Sequence, residues 1–136
     1  MPYITLQDLI DRFGQDELLQ LAADDTGQAI DQGEIDLAIA DAGGEIDGRV
    51  AAGGYAVPLD PVPSIVQAYA CDIARYRLYD ERATDQVTKR YEDAIKFLRA
   101  VAKGEVKLGI GSEAGGESAG SAEFQSAERV MPGGGF

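Results

Sequence analysis

The 136 residues read as a mainly α protein: a small helical bundle with an extended arm, a short strand-like segment after the last helix and a flexible C-terminal tail. Three features support this. Apolar residues recur at steps of three and four in the long stretches between residues 30 and 103, the period of a helix with one face turned inward. Capping residues and glycines stand where those stretches begin and end. After Gly111 the composition changes to Gly, Ser, Ala and Glu, with too few apolar groups to build a core. The chain therefore divides into a helical domain over residues 1–111 and a Gly/Ser-rich tail over 112–136 whose tip is again apolar.

Thr5 followed by Asp8 reads as a capping box with Asp in place of Glu, opening a short helix that turns Leu6, Leu9, Ile10 and Phe13 inward and ends at Gly14. A second short helix runs from Asp16 to about Ala23. Neither is long enough to be stable alone, so both must pack on something longer. Residues 24–31, Asp-Asp-Thr-Gly-Gln-Ala-Ile-Asp, form an acidic loop. A calcium loop of the EF-hand kind needs alternating oxygen ligands and a Glu at its twelfth position. Counted from Asp24, the ninth residue is Gln32 and the twelfth is Ile35, so turn chemistry and a helix N-cap describe the loop better than a cation site.

The helix that follows places Ile35, Ile39, Ala42, Ile46 and Val50 on its inner side. Glu34, Asp36, Asp41, Glu45 and Asp47 are expected on the side opposite, as a wall of carboxylates with Arg49 the one positive charge. Gly53-Gly54 stops it, and Tyr-Ala-Val-Pro-Leu, 55–59, is an extended arm because a residue before proline avoids the helical region. Asp60-Pro-Val-Pro63 opens the next helix. The run 64–79 is apolar on several sides and reads as the central helix of a bundle, with Tyr69, Tyr76 and Tyr79 as core residues. Residues 80–85 turn the chain, with Thr84 or Asp85 as N-cap. The last helix runs to about Lys103, with Val87, Tyr91, Ala94, Ile95, Leu98 and Val101 inward and cations accumulating toward its C-terminus, as the helix dipole favours. Residues 105–110 alternate and suit a short strand or extended segment.

Charge is unevenly spread along this frame. The chain has 24 acidic and 12 basic residues, a net charge of −12. Residues 1–63 carry 13 acids against 2 bases, whereas 64–111 carry 7 acids against 9 bases. The first half lacks the basic patch with which a protein grips nucleic acid. With no histidine to act as a base, the single cysteine, Cys71, is a core residue rather than a nucleophile. No intrachain disulfide can form, no phosphate-binding glycine loop is present, and no run is apolar enough to span a membrane. No cofactor, no metal and no membrane partner are expected. The chain reads as soluble, intracellular in origin and not an enzyme.

Several segments together carry a family resemblance. They are the opening Tyr3-Ile-Thr-Leu-Gln-Asp-Leu-Ile-Asp-Arg-Phe-Gly14, the acidic loop ending Ile30-Asp31, the helix Ala38-Ile-Ala-Asp-Ala-Gly-Gly-Glu-Ile-Asp-Gly48 and the arm Gly54-Tyr-Ala-Val-Pro-Leu59. After them come Cys71-Asp-Ile-Ala-Arg-Tyr-Arg-Leu-Tyr79, Arg90-Tyr91, Leu98 and Lys103-Gly-Glu-Val-Lys-Leu108. In this order, over roughly residues 1–111, the chain resembles the head–tail connector (neck adaptor) family of Mu-like tailed phages and prophages. The resemblance implies a structural virion protein at the neck, made in the bacterial host cytoplasm. It implies a ring of copies of itself, twelve in number, between the portal protein and the tail-side neck or tail-terminator proteins, through which DNA passes without specific binding. Gln28, Gln32 and Ile35 stand where this family's loop looks more calcium-like, so no metal site is carried over.

On that resemblance, Tyr55, Val57 and Leu59 of the arm are candidates for subunit contact, and Phe124, Arg129, Val130, Met131 and Phe136 of the tail for docking on the portal or a neighbour. The acids of residues 34–47 are candidates for facing the channel lumen, where basic contacts would retard the duplex. A different class of function, an acidic DNA-mimic inhibitor of a DNA-binding protein, is compatible with the charge of residues 1–63 but gives no role to an apolar-tipped tail.

Overall fold

A computed structural model describes residues 2–110. The described residues form five helices, α1 Leu6–Phe13, α2 Gln15–Leu21, α3 Gln32–Ala52, α4 Ser64–Tyr79 and α5 Asp85–Ala102, with a 3₁₀ turn, Asp80–Arg82, between the last two. Among the described residues no strand forms and no helix is long and apolar enough to cross a membrane.

The helix starts follow from local chemistry. Thr5 accepts from the Asp8 amide while Asp8 accepts from the Thr5 amide, so the box at α1 is closed in both directions. Asp31 caps α3 by accepting from the amides of Gly33 and Glu34 at 2.9 and 3.3 Å, and Thr84 caps α5 by accepting from Val87 at 3.2 Å. Gly14 serves α1 and α2 at once, at φ 91°, a conformation that glycine adopts without strain. The acidic loop is a turn: the Asp24 side chain accepts from the Thr26 amide at 3.0 Å, and the Thr26 hydroxyl bond holds its carboxyl below the usual range. One antiparallel bridge, Ala23 to Ile30, closes its base.

α3, α4 and α5 pack mutually, each against the other two, and α1 packs on α4. Glu45 of α3 meets Arg77 near the end of α4 and Tyr91 in α5, while Gly53 at the end of α3 meets Val101 at the end of α5. So α4 runs antiparallel to α3 and α5, which run together. α4 carries Val66, Ala70, Cys71, Ile73 and Ala74 fully buried, the central position its many-sided apolar pattern requires. Cys71 lies in this core, and burial pushes its thiol up to about 11. The tyrosines are structural as well: Tyr76 stacks on Tyr91 with ring centroids 4.0 Å apart, and Tyr69 packs on Phe97 at 4.9 Å.

Two segments settle points that the sequence reading left open. Residues 105–110 make no strand, because no second strand lies beside them; the alternation marks a half-buried coil in which Val106, Leu108 and Ile110 face the core. Two of the arm's apolar side chains pack within the chain itself. Tyr55 and Leu59 are 7% and 3% exposed and belong to the core cluster. Two tyrosine hydroxyls supply acceptors for these irregular stretches: Tyr3 accepts from the Leu59 amide at 2.8 Å, and Tyr55 accepts from the Leu108 amide at 3.0 Å. An extended segment lacks the internal hydrogen bonds of a helix, and these contacts replace some of them at buried amides.

Gly53 does more than stop α3. A Cβ there would lie 2.5 Å from the Val101 carbonyl oxygen, inside any allowed contact with a backbone atom that α5 holds in place. Gly53→Ala is expected to cost about 1–3 kcal/mol through the forced separation of α3 and α5. Gly48→Ala, with open space around its Cβ inside the same helix, is expected to stabilise by about 0.5–1 kcal/mol. Thermal melting of the two variants checks both signs.

Candidate functional site

α3 has three kinds of side rather than two. At about 100° per residue, Ile35, Ala38, Ile39, Ala42, Ile46 and Val50 share one arc, and all are buried. The acids expected opposite them flank that arc instead. Glu34, Asp41 and Glu45 line one edge and Asp36 and Asp47 the other, so no single wall of carboxylates exists. The outermost line holds Gly33, Leu37, Ala40, Gly44, Gly48 and Ala51, with Leu37 64% exposed.

Glu34, Asp36 and Asp41 are exposed, but the other two acids are committed inside the subunit. Glu45 accepts from Arg77 at 3.1 Å and from the Tyr91 hydroxyl at 2.9 Å, with Arg49 3.9 Å away, so one carboxylate ties α3 to both other core helices. That bond pushes the Arg77 guanidinium further up, and burial, with Glu45 next, pushes the Tyr91 phenol up. Asp47 accepts from the Tyr3 hydroxyl. A lumen wall made of all five acids is therefore not what the helix presents, because two of them hold the core together.

Two grooves flank the exposed line of α3. One, of about 440 Å³, lies between α3, Leu21 at the end of α2 and the 3₁₀ turn; it is lined by Glu34, Leu37, Ala38 and Asp41 on one side and by Arg77, Leu78, Asp80, Glu81 and Arg82 on the other. Asp80 on its rim has φ 53° and ψ −128°, a conformation a non-glycine residue rarely holds. The second groove, of about 520 Å³, lies between α3 and the N-terminal segment, over Ile4, Leu6, Ile39 and Ala40 with Asp36 and Asp47 at its edge. Neither was legible in the sequence. The one signal available was the uncharged line through Gly33, Leu37 and Gly44, which carries an exposed leucine where a solvated helix face would carry a polar residue.

The remaining candidates fall as follows. Of the three arm candidates, Val57 is the exposed one, at 43%, and Ile65 at the start of α4 is 44% exposed. The tail candidates Phe124, Arg129, Val130, Met131 and Phe136 lie outside the described residues. Outer positions of α5 carry Lys96 and Arg99, and Lys103 is its C-cap, all exposed. Other cations are spent on the fold: Arg75 makes a two-point bond to Glu17 at 2.6 and 3.1 Å while lying over the Phe13 ring at 4.2 Å, which clamps the α1–α2 hairpin to α4. Among the described residues no cluster of three or more His, Cys, Asp or Glu is placed to hold a metal ion.

Comparison with known proteins accounts for the order of these segments. The profile of the family described as Bacteriophage Mu, Gp36 matches residues 3–126, past residue 111 and into the tail, where the sequence pattern alone had stopped. The "Mu-like prophage FluMu protein gp36" of Haemophilus influenzae is 39% identical over 111 residues, covering 82% of this chain and 78% of its own. "Gene product J" of Escherichia phage Mu is 34% identical over 114 residues, covering 82% of this chain and 79% of its own. A match across nearly the whole length, together with two phage and prophage relatives above 30% identity, shows that the chain belongs to the Bacteriophage Mu Gp36 family.

Proposed function

We propose that the chain is a structural head–tail connector of a Mu-like phage particle. In this reading, copies of it, twelve in number, form a ring between the portal protein and the tail-side neck proteins, and the ring extends the channel through which DNA passes. The observation that carries the proposal is membership of a Mu-like phage family by a chain without histidine, whose one cysteine is buried and several of whose charged groups are bound to internal partners. Cys71 is a core thiol with no histidine in the chain to activate it, and Glu45, Asp47 and Arg75 are bound to internal partners. The outside offers surfaces for contact: the line through the exposed Leu37 on α3, two grooves, and the exposed Val57 and Ile65. A net charge of −12 suits a protein that lets DNA through without holding it. The division of the α3 acids between two edges speaks against the DNA-mimic alternative, which needs carboxylates arrayed like phosphates along one surface.

Deleting the gene from a Mu-like prophage that encodes it is expected to yield DNA-filled heads and separate tails, with joined particles restored by the full chain. A chain lacking residues 112–136 is expected to keep its melting temperature and to restore joining poorly. Normal joined virions from the deleted prophage would reject the connector role.

A further inference from the structure

We propose that the acidic groove between α3 and the 3₁₀ turn receives the cationic C-terminal half of α5 from a second copy of this chain. The contact is head-to-tail, and it names the subunit interface of the ring reading, on which it rests.

The groove carries Glu34, Asp41, Asp80 and Glu81 against Arg77 and Arg82, and Arg77 is already held by Glu45. Its free charge is therefore negative. Leu37 stands exposed in it, which a purely solvated acidic face would not require. The complementary surface is on the same chain. Lys96, Arg99 and Lys103 follow at steps of three and four, so they form one stripe on the outside of α5. All three are exposed, and none has an ion-pair partner among the described residues, whereas Lys89 and Arg90 pair with Asp93 and Asp72. Their aliphatic stems can cover Leu37 while their charged ends reach the carboxylates around it.

One subunit cannot make this contact with itself. α3 and α5 run in the same direction, with Gly53 against Val101. The stripe therefore lies beside the C-terminal end of α3, whereas Leu37 lies about 24 Å back along that helix at about 1.5 Å per residue. Two different patches at opposite ends of the bundle make a heterologous contact, the kind that closes into a ring when the rotation allows. A chain of net charge −12 repels its own copies at long range. A local meeting of opposite charges opposes that repulsion at this one place. A nucleic acid would be drawn to the stripe and repelled by the groove, and a basic protein the reverse; a second copy satisfies both.

Sedimentation of the full chain, alone and on purified portal rings, tests the proposal. The wild type is expected to self-associate and to dissociate as salt rises. D41K/E81K reverses the groove and K96E/K103E reverses the stripe, all at exposed positions, and melting curves verify that both variants fold. Each is expected to self-associate at least tenfold more weakly than the wild type. An equimolar mixture of the two, or all four changes in one chain, restores association, because every reversed groove then meets a reversed stripe. If both variants assemble like the wild type, the interface is elsewhere and the ring reading stands. If each blocks assembly but the mixture does not restore it, the groove and the stripe do not meet. A wild type that stays monomeric both alone and on portals overturns the interface together with the ring.

Discussion

Ile46→Ala is expected to lower the unfolding free energy by about 2–5 kcal/mol, whereas Leu37→Ala, nine residues earlier on the same helix, changes it by no more than about 0.5 kcal/mol. Both remove the same kind of atoms. Ile46 has no exposed surface and sits where α3 meets α4 and α5, so its deletion leaves a cavity. The walls cannot close around that cavity easily, because Glu45 beside it is bonded to Arg77 and Tyr91 on the other two helices. Leu37 is 64% exposed in the isolated subunit, and alanine is the better helix former. Urea unfolding at low protein concentration and raised salt keeps self-association from masking the difference. Against a total stability of about 5–15 kcal/mol for a domain of this size, the Ile46 loss populates the unfolded state measurably. Equal costs at the two positions would mean that α3 is rotated from the orientation described.

Tyr3→Phe is expected to cost about 1–3 kcal/mol. The ring remains, so apolar burial is nearly unchanged, and what is lost is the hydroxyl that bonds to Asp47 and accepts from the buried amide of Leu59. Asp47 is half-buried and can recover water; the Leu59 amide is left without an acceptor. The pH dependence identifies the group. Burial, with the Asp47 bond next, pushes the Tyr3 phenol from an ordinary value of 10.0 up to about 12. A group whose folded value is raised contributes fully below its unfolded value and loses that contribution as pH rises through the folded one. The gap in stability between wild type and Tyr3→Phe is therefore constant through neutral pH and narrows between pH 10 and about 12. Unfolding curves across that range read the gap directly, and a gap that stays constant to pH 12 would show that the phenol is not held as described.

Much of the helical frame is legible because it is written locally. The Thr5–Asp8 box, the Asp31 and Thr84 caps and the Gly14 and Gly53 stops each act within four residues, and the apolar period of α4 announces its central place. What the sequence hides are relations across the chain. The arm looks free because prolines keep it extended, yet Leu59 is bonded to a hydroxyl 56 residues away and Tyr55 to an amide 53 residues away. Glu45 looks like one more surface acid until α4 and α5 bring Arg77 and Tyr91 to it. The acids of α3 alternate with its apolar residues, and that invites the inference of two opposed faces. Helical geometry places them on two edges and leaves the outermost line to Leu37 and the small residues. The groove at Asp80 needs three separate segments and could not be read from any one of them.

That the chain builds a ring on the portal is most directly tested by native mass measurement of the full protein, alone and mixed with its purified portal. A discrete complex is expected in which many copies, twelve at saturation, sit on each portal ring, with a salt-sensitive oligomer as the related species in the absence of portal. A chain that stays monomeric and leaves the portal mass unchanged at every ratio would contradict it.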